Sequence, residues 1–142
     1  MQTSARNQFH GIVERITKGQ VNAEVVLRLA SGDALTAQVT LESLKSLDLA
    51  EGKKAWALVK AQWVMLAPGS EVLKVSARNC MRGPVAKVVP GAVNTEVSIG
   101  LSGGVTITSV ITKESAEHLG FKVGDQAWAF FKAGSVILAV EG

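Results

Sequence analysis

The sequence predicts an all-β chain with short helices, arranged as two tandem copies of one small domain, and three observations carry that expectation. First, residues 4–70 return as residues 76–142 after a shift of 72 positions without a gap, and roughly 27 of about 67 aligned pairs are identical. Second, apolar residues recur at mostly even spacing between clusters of turn residues. Third, the first copy holds a single short stretch in which that period changes to three, and the repeat carries the same segment into the second. The domains are therefore read as 1–70 and 71–142.

In the first copy Val21, Val25, Leu27 and Leu29 form one alternating run, Ala30-Ser31-Gly32-Asp33 supplies a turn, and Leu35, Ala37 and Val39 resume the alternation. This is a β-hairpin. The second copy repeats it with Val93, Val97, Ile99 and Leu101, then Ser102-Gly103-Gly104, then Val105, Ile107, Ser109 and Ile111. Between Thr40 and Gly52, the spacing of Leu41, Leu44 and Leu47, with Glu42 in the first turn, predicts one short helix. A final strand is expected over 55–66 and over 127–140, rich in Trp, Val, Ile and Phe, and Pro68-Gly69-Ser70 reads as the linker. Four or five strands and one helix in about 70 residues suggest a small OB-like barrel, whose closure would remove exposed edges, with an open sandwich as the alternative.

Composition narrows the class. No stretch approaches the ~20 apolar residues of a membrane span, and Met1-Gln2-Thr3-Ser4-Ala5-Arg6 lacks the order of a signal peptide, so a cytoplasmic, membrane-free protein is expected. The formal charge of +3 is spread along the chain, with no polybasic tail. Cys80, the one cysteine, aligns with Gln8 and serves as a small apolar residue. A 70-residue copy would be marginal by itself. The chain is also 47% hydrophobic with a mean hydropathy of +0.25, more apolar surface than one chain hides, which points to an obligate homo-oligomer.

No conventional active site can be assembled from what the copies share. His10 and His118 align with Arg82 and Ser46, so no histidine is common to both. Zinc-type Cys/His spacing, a phosphate-binding Gly-x-x-x-x-Gly-Lys loop and a nucleophile elbow are all missing, and the shared acids Glu24/Glu96 and Glu42/Glu114 are isolated in sequence. An enzyme is not expected. The shared polar pairs are instead hydrogen-bond donors: Ser4/Ser76, Arg6/Arg78, Asn7/Asn79, Asn22/Asn94, Thr40/Thr112, Ser43/Ser115 and Lys60/Lys132. Thr40 and Ser43 stand where the helix begins, a place that suits an oxyanion or a plain cap. Lys60, in an apolar strand, either snorkels to solvent or meets an anion at an interface. Arg6 suits a salt bridge and Asn7 a turn, or both suit a ligand; Asn22 suits a turn or offers its amide and neighbouring N–H groups to a ligand; and Trp56/Trp128 suit the core over a stacking platform.

These residues together resemble the Mop or TOBE molybdate-binding domain. The resemblance rests on Ser4-Ala5-Arg6-Asn7 followed by Gly11, on Gly19-Gln20-Val21-Asn22-Ala23-Glu24-Val25, on Thr40 with Ser43, and on Lys60-Ala61, each returning 72 residues later. It covers essentially the whole chain and is similar to the stand-alone tandem type that stores molybdate in the cytoplasm. Neither a winged helix-turn-helix nor a P-loop accompanies it in this sequence.

The resemblance implies an OB-like barrel assembled as a trimer, with molybdate or tungstate held between subunits and no metal cation. It implies that Ser4, Ala5 and Arg6 face Thr40, Ser43, Lys60 and Ala61 of a neighbouring domain, and that Ser76, Ala77, Arg78, Thr112, Ser115, Lys132 and Ala133 form the second set. Further sites on the three-fold axis would use Gly19, Gln20, Val21 and Asn22, and Gly91, Ala92, Val93 and Asn94. There Pro90 replaces Lys18, removing one backbone donor and one charge. Sulfate would be discriminated by size, and protonated phosphate by its need for an acceptor. Two rival readings are a tandem OB module for single-stranded nucleic acid, weakened by the absence of tyrosine, and a carrier of the molybdenum-pterin cofactor.

Overall fold

The computed structural model describes residues 1–70 and 72–141. Copy one runs β1 (Asn7–Lys18), β2 (Asn22–Leu29), β3 (Ala34–Thr40), α1 (Leu41–Ser46), β4 (Lys54–Val59), a 3₁₀ turn (Ala61–Trp63) and β5 (Met65–Pro68). Copy two runs β6 (Asn79–Pro90), β7 (Asn94–Gly100), a 3₁₀ turn (Ser102–Gly104), β8 (Thr106–Thr112), α2 (Lys113–Leu119), β9 (Gln126–Phe131), a 3₁₀ turn (Ala133–Ser135) and β10 (Ile137–Ala139). The hairpins β2–β3 and β7–β8 and the helix α1 lie where the apolar periods put them, and α2 lies where the repeat puts it.

Two features differ from the sequence expectation. The longest strands, β1 and β6, come from segments that the alternation had not marked. In β1 the inward residues Asn7, Phe9, Gly11 and Val13 include a polar residue and a glycine, and the register on β2 then slips between Val13 and Arg15. That bulge sets Glu14 and Arg15 both outward and breaks the period of two. In β6 the register on β7 slips at the equivalent place, between Val85 and Lys87.

The expected final strand is also two strands, split by a 3₁₀ turn, and its second half crosses to the other copy. The sheets have the orders β10-β4-β1-β2-β3 and β5-β9-β6-β7-β8, all antiparallel neighbours. Ile137, Leu138 and Ala139 pair with Leu58, Ala57 and Trp56, while Met65, Leu66 and Ala67 pair with Phe130, Ala129 and Trp128. β10 also packs near β3, and β5 near β8, so each sheet curls into an OB-like barrel completed by a strand of the other copy. One hydrophobic core spans both copies: Leu27, Leu35, Val59 and Val64 join Val85, Ile99, Ile107 and Phe131, all at most 1% exposed.

Close strand packing explains one shared glycine. A Cβ on Gly83 would lie 2.2 Å from the Gly100 carbonyl oxygen, and one on Gly11 would lie 2.9 Å from that of Arg28. A second glycine ends α2: Gly120 takes φ 63°, ψ 38° and donates its N–H to the Ala116 carbonyl at 2.9 Å. Asp48, its counterpart after α1, holds φ 50°, a conformation that Asp tolerates better than most side chains. Gly120→Ala is therefore expected to cost about 1 kcal/mol, read as a lowered midpoint in urea with an unchanged slope.

Candidate functional site

The residues that both copies keep fall into two groups, one stitching the copies together and one left open to solvent. Asn7 and Asn79 belong to the first. Asn79 is fully buried; its Nδ2 donates to the Thr36 carbonyl at 2.8 Å and its Oδ1 accepts from the Thr36 N–H at 2.8 Å. Asn7, 1% exposed, does the same for Thr108, with both bonds 2.7 Å long. β3 and β8 are edge strands, and the N–H and C=O of one residue in an antiparallel strand point to the same side. Each asparagine thus acts as a one-residue strand capping the free edge of the other copy. The turn role expected for Asn7 gives way to this one.

The salt-bridge reading of Arg6 holds, and its partner is a shared acid that sequence position alone had left isolated. Arg6 Nη2 donates to Glu96 Oε1, and Arg78 Nη1 donates to Glu24 Oε1 at 2.5 Å, each pair joining one copy to the other. The hydrogen bond to Arg6 holds the Glu96 carboxyl below the usual carboxylate range, with partial burial opposing it, and the same bond raises the arginine. A depressed carboxylate adds stability above its unfolded value, near ~4.3, that is lost as pH falls through the folded value. Because the pair is half exposed the effect is modest. Glu96→Gln is expected to lower the melting temperature slightly at neutral pH and to converge with the parent in acid, as melts across a pH series would record.

The second group is exposed. Ser4 and Lys60 face solvent, Ala5 is half buried, and Ala61 is 1% exposed at the start of its 3₁₀ turn. The structure brings Ser4, Ala5, Arg6, Lys60 and Ala61 of the same copy together in one cleft of about 330 Å³, where the resemblance had implied Lys60 and Ala61 of a neighbouring domain, with Leu58 and, from the exchanged strand β10, Ile137 as apolar walls. Since Arg6 is turned to Glu96, the segment offers the cleft its backbone and the Ser4 hydroxyl, while Lys60 supplies a positive charge with no carboxylate partner among the described residues.

Thr40 and Ser43 do not line this cleft. Thr40 caps α1: its Oγ1 accepts from the Ser43 N–H at 3.0 Å, and its hydroxyl donates to Ser43 Oγ at 2.9 Å. Thr112 and Ser115 repeat this at 3.1 and 2.8 Å. Thr40, Thr112 and Ser115 are exposed and Ser43 is half buried. In copy two, Ser76, Arg78 and Lys132 are likewise exposed, Ala77 is half buried and Ala133 buried. The loops Gly19-Gln20-Val21-Asn22 and Gly91-Ala92-Val93-Asn94 are exposed throughout, with Val21 at 72% and Val93 at 75%. The Gly19 and Gly91 N–H groups are committed to the Asn22 and Asn94 carbonyls, which leaves the tips of the loops to meet any ligand.

A larger depression of about 670 Å³ lies beside His10 and Trp56, and two of its four charged side chains, Lys53 and Asp48, pair with each other. Lys53 Nζ donates to Asp48 at 2.6 Å, and Trp56 Nε1 donates to Glu141 Oε1 at 2.9 Å. Among the described residues no group of three or more His, Cys, Asp or Glu side chains is placed to hold a metal ion, and no helix is long and apolar enough to cross a membrane. Burial raises the Cys80 thiol, in keeping with an inert residue.

The TOBE domain model matches this chain twice, over residues 3–66 and 75–138. Among solved structures the chain is similar to the cytoplasmic molybdate-binding protein ModG in a molybdate-bound form, with a TM-score of 0.94 and 50% identity over 99% of this chain and 100% of that one. It is 46% identical over 142 residues to the molybdenum transport protein ModE of Azotobacter vinelandii, covering 100% of this chain and 52% of that protein. It is also 46% identical over 140 residues to the molybdenum-pterin-binding protein MopA of Rhodobacter capsulatus, covering 99% of this chain and 53% of that protein. The chain thus spans about half the length of the curated relatives it matches.

Proposed function

The chain belongs to the TOBE-domain family through both of its copies, and from that membership we propose that it binds molybdate, and tungstate nearly as well, for molybdenum storage in the cytoplasm. The observation that carries this reading is the cleft in which Ser4, Ala5 and Arg6 meet Lys60 and Ala61. It gathers hydrogen-bond donors around one lysine, while the neighbouring arginine is neutralised by Glu96. Such a setting favours a fully deprotonated tetrahedral dianion. The likeness to ModG, solved with molybdate bound, supports the same ligand. No catalytic step is proposed.

Each TOBE unit, read as 1–70 and 71–142, contributes one such cleft, the second from Ser76, Ala77, Arg78, Lys132 and Ala133. Thr40 with Ser43, and Thr112 with Ser115, complete the clefts of neighbouring subunits in a homotrimer. Exposed Ile12, Met65 and Ile137, at 49, 45 and 55%, supply apolar surface for that assembly. Val21 and Val93, at the tips of their loops, lie toward the three-fold axis, where the backbone of residues 19–22 and 91–94 forms a second kind of site. A calorimetric titration with molybdate in sulfate-containing buffer, with mass by light scattering on the same sample, tests this. Saturable binding of more than one anion per chain to a trimer is expected. A monomer without binding heat that shifts on oligonucleotide contradicts it, and pterin retained through purification favours cofactor carriage instead.

A further inference from the structure

The two lysines at the proposed oxyanion clefts sit on matching backbones with unlike neighbours. Lys60 and Lys132 precede 3₁₀ turns with φ, ψ of −64°, 136° and −74°, 144°. Each turn is closed by the same bond, from the Trp63 N–H to the Lys60 carbonyl and from the Ser135 N–H to the Lys132 carbonyl, both 3.0 Å. The second and third residues of the turn differ, Gln62-Trp63 against Gly134-Ser135, and it is the third that meets the lysine in copy one. In copy one it is Trp63, 40% exposed, and Lys60 Nζ lies over its ring, 5.2 Å from the centroid. In copy two it is Ser135, and among the described residues Lys132 lies over no ring.

An exposed lysine has four rotatable bonds and loses that freedom when it grips a ligand. A ring that already holds the ammonium at the cleft removes part of the loss before the anion arrives. Lys60 lines the cleft while resting on Trp63, so the two contacts are compatible. We propose that Trp63 is a positioning residue that presets Lys60, making the copy-one oxyanion sites tighter than the copy-two sites, where Ser135 leaves Lys132 unheld. This rests on the oxyanion reading above.

The test is calorimetric titration of the full chain with molybdate, comparing the parent with Trp63→Ser, Trp63→Phe, Ser135→Trp, Lys60→Ala and the double variant Lys60→Ala with Trp63→Ser. The parent is expected to show two affinity classes. Trp63→Ser should weaken by about two- to five-fold the class that Lys60→Ala weakens, in line with a cation–π contact at an exposed site, and Trp63→Phe should keep most of the affinity. In the Lys60→Ala background the serine substitution should add nothing, which separates positioning from packing. Ser135→Trp should tighten the other class, a gain that does not depend on Trp63→Ser folding well. A single class in the parent, an unchanged or tighter Trp63→Ser, or an equal loss without Lys60 overturns the proposal. Absence of molybdate binding by the parent overturns the oxyanion reading as well.

Discussion

Asn79→Ala is expected to destabilise the fold by roughly 2–5 kcal/mol, a large share of the ~5–15 kcal/mol that a domain commands. The substitution deletes two buried hydrogen bonds and strands both the N–H and the C=O of Thr36, a residue only 7% exposed, without the strand that would otherwise cover that edge. Asn7→Ala should do the same to Thr108. The two sites are symmetry mates across one continuous core, and each sheet also contains a strand of the other copy. Both halves should therefore unfold in one transition, not two. Denaturant titration followed by fluorescence and by circular dichroism measures both quantities. A loss below about 1 kcal/mol, or separate transitions in the parent protein, would mean that the copies are far less interdependent than this structure makes them.

The other large effect concerns the ligand. Lys60→Ala is expected to weaken oxyanion binding at the copy-one sites by about 2 kcal/mol, and Lys132→Ala to do so at the copy-two sites, in each case with the oligomer mass unchanged. That is roughly a thirty-fold loss of affinity for one class of sites. The expected selectivity follows from charge. Lys60 has no carboxylate partner among the described residues, whereas Lys53 is held by Asp48. A double lysine variant that titrates like the parent would remove lysine from the site.

Much of this architecture is legible in the sequence because local chemistry decides it. Ala30-Ser31-Gly32-Asp33 turns the chain between alternating strands, and Thr40 with Ser43 starts α1 through a hydroxyl cap. The strand exchange is not legible, for a physical reason. Met65-Leu66-Ala67 and Ile137-Leu138-Ala139 are so alike that neither segment says which copy's sheet it joins, and pairing across the repeat is a distant contact that no local spacing encodes. β1 and β6 escape the period of two because a bulge at Glu14, matched at Ala86, shifts the phase halfway along.

The candidate site was legible to the extent that function is shared between the copies. Ser4, Arg6 and Lys60 emerge from the repeat, and the structure groups them. Yet repetition does not distinguish a ligand from a seam. Asn7, Asn79, Glu24 and Glu96 recur because each reaches across to the other copy, a contact between residues 43 to 101 positions apart that no local spacing encodes. Comparison of the copies also hides Trp63, since attention to what recurs passes over a residue whose counterpart is Ser135. The signal for it lies in the difference: the same Lys-Ala start, followed by Gln-Trp in one copy and Gly-Ser in the other.

Anomalous diffraction from crystals of the full chain grown with tungstate tests the central claim most directly, because tungsten reports its own position. Expected are peaks in the cleft of each copy, each ringed by oxyanion oxygens within hydrogen-bonding distance of Lys60 Nζ and the Ser4–Arg6 backbone in one and of Lys132 Nζ and the Ser76–Arg78 backbone in the other, with Thr40 and Ser43 or Thr112 and Ser115 of an adjoining subunit completing each shell. Tungsten bound elsewhere, with both clefts filled only by water at saturating tungstate, would contradict it.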